Sequence, residues 1–203
     1  MSMRAPLALL VLVAALLAYV LLFERDGPGR TEVEARSGLL VEPLVRDRIT
    51  RVRIASGDAR IVLRREGEGF DETWTLEQPV EAPADSEAAE DYLRSWEYSI
   101  PVRTLQSPNA EDLRVFGIDK PEAEVTFEMG RAKVTVILGS GKPVDGGGYV
   151  RIAGDDAVSV VGKDVVELFG WTAESFELPA DAGAPLLPEQ TDDAGPDADA
   201  VAP

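Results

Sequence analysis

Along the chain the spacing of apolar positions changes several times, and each change predicts an element. Residues 5–23 (APLALLVLVAALLAYVLLF) are apolar on every side, nineteen positions without a charge. As a helix this stretch would be ~28 Å long, close to the hydrocarbon thickness of a bilayer. A cleavable signal peptide has a shorter apolar run that ends on small residues, whereas this one ends on Tyr19, Val20, Leu21, Leu22 and Phe23. Residues 1–23 therefore predict an uncleaved transmembrane signal-anchor. Arg4 precedes it and Glu24, Arg25 and Asp26 follow, a charge asymmetry that favours an N-terminus in the cytoplasm and the rest of the chain outside. Ala14 and Ala18 form a small-xxx-small pair, read here as lipid-facing filler.

Residues 24–38 carry Gly, Pro and charge without periodicity and predict a tether. A folded region over residues 39–178 comes next. Residues 39–45 (LLVEPLV) predict an edge strand or extended lead-in because Pro43 interrupts the apolar run. Alternation in residues 49–54 (ITRVRI) and 60–65 (RIVLRR), separated by Ser56-Gly57-Asp58, predicts a β-hairpin, and residues 73–78 (TWTLEQ) a third strand ended by Pro79.

The period then becomes helical. Asp85 or Ser86 serves as N-cap, acidic residues fill the first turns, and Ala89, Tyr92, Leu93, Trp96 and Ile100 make one apolar face. Pro101 should end this helix. A short strand follows at residues 102–105, then a brief helix over residues 109–116 closed by Gly117. Residues 123–129 (AEVTFEM) and 132–138 (AKVTVIL) form the clearest hairpin, around Gly130-Arg131. Strands at 149–152 and 158–161 and a closing helix at 163–169 complete the region. The class is α+β: a mixed, mainly antiparallel sheet packed by one main helix and short helices, preceded by one transmembrane helix. Residues 179–203 are rich in Pro, Ala and Asp and have no basic residue, which predicts a disordered, solubilising acidic tail.

Composition narrows the chemistry. The net charge is −17 and no basic stripe interrupts it, which argues against nucleic-acid binding. The absence of His and Cys removes Ser-His-Asp and Cys-His catalysis, the usual zinc ligands and disulfides. Leu138-Gly139-Ser140-Gly141-Lys142-Pro143 superficially suggests a phosphate loop, but Val136 and Pro143 stand where that pattern needs Gly and Ser or Thr, so no nucleotide is expected. Asp145, Asp155 and Asp156 sit in Gly-rich turns and could be imagined around calcium, yet turn formation explains them. Glu66, Glu68, Asp71 and Glu72 could supply a carboxylate pair, but nothing selects two of them from a solvated acidic face. No catalytic, cofactor-binding or metal residues are assigned, and no cofactor is expected. Tyr92 and Trp96 are expected in the layer between helix and sheet; a sugar or peptide site would need an exposed aromatic cleft, which burial of Trp74, Trp96 and Trp171 together would rule out.

Several short pieces occur in a recognisable order: Trp74-Thr75-Leu76 with Pro79, Ala84-Asp85 opening the helix, Phe116-Gly117-Ile118 with Pro121, Leu138-Gly139, and Tyr149-Val150-Arg151. Together, over about residues 39–176, they resemble the bacterial family catalogued as domain of unknown function 4340. One departure is Phe116, where that family usually has tyrosine before the glycine. The resemblance implies an N-terminal membrane helix, an extracytoplasmic (periplasmic) domain and an accessory role beside gliding-type ABC transporter components. It implies no active site. The expected partners are thus the inner membrane, through residues 5–23, and a protein such as an ABC transporter component. The expected function is that of a non-enzymatic interaction module; an envelope polysaccharide or peptide-binding domain and a carboxylate hydrolase are the alternatives.

Overall fold

The computed structural model describes residues 35–178 except 68, 70, 71 and 145, together with Leu9, Leu10, Leu12 and Val13, which are helical with exposed side chains. The rest of the predicted anchor, most of the tether and the acidic tail lie outside the described residues. Among the described residues no helix is long and apolar enough to cross a membrane.

The described strands are β1 (Arg51–Ser56), β2 (Ala59–Glu66), β3 (Thr73–Gln78), β4 (Ala82–Pro83), β5 (Arg103–Leu105), β6 (Pro121–Met129), β7 (Ala132–Gly139), β8 (Gly148–Ile152) and β9 (Val158–Val161). They form one sheet in the order β4-β3-β2-β1-β6-β7-β8-β9-β5. Every pairing among them is antiparallel, so the sheet lacks the parallel component of a mixed arrangement. In the centre, Val52 of β1 stands opposite Leu63 of β2 and Phe127 of β6.

Alternation places Val52, Ile54, Ile61, Leu63, Trp74, Leu76, Val125, Phe127, Val134 and Val136 in the buried core. That face is covered by α1 (Ser86–Glu97), which packs against α3 (Lys163–Leu168) and a 3-10 helix, Ala173–Phe176. Helix α1 begins as expected: the Asp85 side chain accepts from the amides of Glu87 (2.9 Å) and Ala88 (3.1 Å). Its Trp96 is fully buried and meets Phe127 and Phe169 edge-on, at 5.6 and 5.0 Å between ring centroids. Each such pair adds about 0.5–1.5 kcal/mol to the area term.

The opposite face carries a ladder of ion pairs. Glu77 takes Arg51 (3.1 Å) and Arg64 (2.8 Å), while Glu128 takes Arg53 (3.1 Å) and Lys133 (3.0 Å). Charge pairing lets this face remain open to solvent while the other is covered.

Three predicted features change. Residues 39–45 form turns rather than a strand, followed by a 3-10 helix at Arg46–Arg48. Leu40, Val41, Leu44 and Val45 are all buried, a spacing of adjacent pairs four apart that a strand cannot bury on one face. Helix α1 stops at Glu97, so Ile100 is exposed instead of completing the apolar face. Pro101 disfavours helical geometry at Ile100, and the Ser99 hydroxyl donates to the Trp96 carbonyl at 2.8 Å. The closing helix ends at Leu168, one residue short of the predicted 169. Strand β4 and the helix at Ala173–Phe176 have no counterpart in the predicted elements.

Candidate functional site

Two places on the fold bring together residues that are far apart in sequence. The first is a cleft of about 540 Å³ at the end of the sheet, between the β1–β2 turn, the end of β3 and the segment after α3. Gly57 has φ +54 and lets the hairpin turn tightly. Arg60 then folds over the turn, its Nη1 donating to the carbonyls of Gly57 (2.9 Å) and Ala59 (2.8 Å). Ile61, Pro79 and Trp171 supply apolar lining, with Ser56, Asp58, Gln78 and Thr172 among the polar groups.

Trp171 is the fixed wall of this cleft. Its ring lies 5.0 Å from Tyr92 and 5.1 Å from Phe176, both fully buried, so a partly buried indole is propped from behind by two core aromatics. Thr172 anchors the chain just beyond: its amide donates to Ser175 Oγ (3.2 Å) and its hydroxyl to Glu174 (2.9 Å). Burial pushes the Tyr92 phenol well above the usual tyrosine range, with the nearby Trp96 opposing weakly. Its hydroxyl has no hydrogen-bond partner of normal geometry among the described residues. The group is therefore a packed neutral phenol.

The second place joins α2 (Ala110–Phe116) to the loop after β7. Asn109 and Asp112 cap the start of α2, and Gly117 ends it with φ +70. The amide of Gly141 donates to the Phe116 carbonyl (3.0 Å) and that of Ser140 to the Gly117 carbonyl (3.3 Å). A Cβ on Gly117 would fall 2.6 Å from the backbone nitrogens of Ser140 and Gly141. In the phosphate-loop lookalike these two amides are thus already engaged by protein carbonyls. Tyr149 of β8 stacks on Phe116 beside it.

The acidic residues singled out in the sequence disperse. Glu66 pairs with Arg64, and Glu72 lies 3.7 Å from Arg65. Glu68, Asp71 and Asp145 are outside the described residues. Asp155 accepts from the Ala157 amide (3.1 Å) within the β8–β9 turn, and Asp156 reaches Arg151 at 3.8 Å. Lys142 pairs with Glu122 at 2.6 Å. Among the described residues no three His, Cys, Asp or Glu gather around a possible metal position. Tyr92 and Trp96 are buried, as expected of a layer between helix and sheet, and Trp74 is buried with them, whereas Trp171 is only partly buried.

The cleft itself was not visible in the sequence. Only the Ser56-Gly57-Asp58 turn announced one of its sides; Gln78, Pro79 and Trp171 reach it through strand order. The pieces Phe116-Gly117, Leu138-Gly139 and Tyr149, by contrast, converge on the α2 junction and account for one another physically.

No curated protein and no solved structure matches the chain. A family model does match, over residues 74–176, which begins at β3 and leaves the β1–β2 hairpin outside although it shares the same sheet. On that match the chain belongs to the family described as Domain of unknown function (DUF4340).

Proposed function

We propose that this protein is a single-pass inner-membrane protein whose extracytoplasmic domain is a non-catalytic accessory module, recognising a component of an ABC-type export or gliding-type transporter complex. The observation that carries the recognition role is the preformed cleft at Trp171. A rigid aromatic wall with a mixed polar rim suits an extended partner segment, because the wall is already ordered before binding. One apolar side chain of the partner would rest on the indole while its backbone meets Gln78 and Thr172. The carboxylates of the sheet face are engaged by arginines, which supports a binding role over hydrolysis. The apolar segment at residues 5–23 supports the membrane placement.

The test is affinity purification of the full-length protein from gently solubilised native membranes, with mass spectrometry of what accompanies it, beside an Ala59→Tyr variant that fills the exposed lip of the cleft. Recovery of ABC permease or ATPase subunits with the unmodified protein, lost in the variant, is the expected result. Recovery without partners, or equal recovery by both, overturns the reading. Trp171, partly buried but lining the cleft, also favours a second reading, an envelope polysaccharide or peptide ligand; a change in tryptophan emission on adding cell-wall oligosaccharide would select it.

A further inference from the structure

We infer that the segment Tyr98–Val102 is a lip that rests on the lipid headgroup region and sets the domain's orientation on the membrane. The inference rests on the anchored reading given above. Tyr98, Ile100 and Val102 are 65%, 66% and 71% exposed, whereas the intervening Ser99 is buried at 7%. This is strand-like alternation with the apolar side turned to solvent, opposite to what a core requires. The segment is held in place: the Ser99 hydroxyl bonds to Trp96, and the Val102 amide donates to the Val160 carbonyl at 2.8 Å. It is therefore a fixed apolar ridge.

What covers it follows from where the chain enters the domain. Arg36 pairs with Glu97 at 3.2 Å, and the Leu40 amide donates to the Ser99 carbonyl at 2.8 Å. The entry point is thus bonded to the residues on either side of Tyr98. Between Phe23 and Ala35 an extended chain spans at most about 40 Å, so the entry point, and the ridge bonded to it, are the part of the domain the anchor holds within reach of the bilayer. Tyrosine with aliphatic neighbours suits the membrane interface, and the exposed Arg103 flanks the ridge where it can meet phosphate groups, while Arg94 on the other side is paired with Asp91. Asp164 beside Tyr98 keeps the contact at headgroup depth.

The chain has no cysteine, so single cysteines report cleanly. Full-length Ile100→Cys would carry an environment-sensitive fluorophore in phosphatidylcholine–phosphatidylglycerol vesicles. Val80→Cys, equally exposed and beside the opposite sheet edge, is the reference. The expected result is a blue-shifted emission at position 100, quenched by doxyl-labelled lipid, and neither effect at position 80. Identical spectra at the two positions overturn the inference. So does a shift at position 100 that appears in native membranes but not in lipid vesicles, which would make the lip a protein contact. Alkaline extraction separates the two readings: release of the protein refutes the anchor and the lip together, whereas retention with an unshifted label at position 100 refutes the lip alone.

Discussion

Phe116 lies flat on Tyr149, with ring centroids 4.4 Å apart and planes 28° apart. This stack closes one side of the junction where Gly117 meets Ser140 and Gly141. Gly117→Ala should destabilise the domain by more than the ~1–2 kcal/mol of the left-handed backbone alone, because its Cβ also meets the loop. Phe116→Tyr, which keeps the ring and adds only a hydroxyl, should stay within about 0.5 kcal/mol. Urea unfolding of both variants checks the pair; an unchanged midpoint for Gly117→Ala would show that the close approach is dispensable.

Glu90 ties α1 to the sheet. It accepts from Arg65 Nη2 (2.6 Å) and Trp74 Nε1 (2.9 Å), and the Arg65 guanidinium also sits 4.8 Å from the Trp74 ring centre. The Arg65 side chain is only 8% exposed. Glu90→Ala leaves the indole N–H unpaired and the cation with only Glu72 at 3.7 Å and the Asp47 carbonyl at 3.3 Å, and is expected to cost about 2 kcal/mol, below the range for a fully buried pair because Glu90 is itself partly hydrated. Glu90→Gln keeps an acceptor and should cost less. Thermal unfolding of the two variants should rank them in that order.

Tyr92 makes stability depend on alkaline pH. Its folded phenol is held protonated by burial, while the unfolded one ionises near pH 10. The unfolded state then binds fewer protons, so stability is fully present below that pH and falls as pH rises above it, by up to about 1.4 kcal/mol per pH unit. Tyr92→Phe should remove this component and, since the hydroxyl has no partner of normal geometry among the described residues, should not weaken the fold at neutral pH. A difference between the two proteins that stayed flat from pH 9 to 11 would contradict the assignment.

Arg51 and Arg64 stand directly opposite each other on the open sheet face, and Glu77 reaches both. Glu77→Ala should expose their repulsion and cost roughly 0.5–1 kcal/mol, since all three side chains are partly solvated. The cost should shrink as salt is raised. Denaturation at low and high ionic strength reads this directly.

How far the sequence could be read depended on whether a feature was local. Strands β3, β6 and β7 and the cap at Asp85 follow from alternation and side-chain hydrogen bonding within a few residues, and they stand where expected. Gly117 likewise revealed a helix end. Residues 39–45 were misread because Pro43 and an apolar run fit an extended segment as well as a buried turn, and only tertiary packing decides between them. Two-residue β4 is too short to carry a period. The cleft was illegible for a stronger reason: Ile61, Pro79 and Trp171 share no spacing, and nothing before the fold links the end of α3 to the first hairpin.

The strand order also says how such a domain must assemble. β1 to β3 and β6 to β9 are each runs of neighbours joined by short connections, whose closure costs little entropy, whereas the β1–β6 pairing joins Ile54 to Val125 across α1 and α2. The two halves can therefore form early and separately, and their zipping along this seam is expected to limit the folding rate. Trimming Val125 should slow refolding, while trimming Val158, within the second run, should chiefly hasten unfolding.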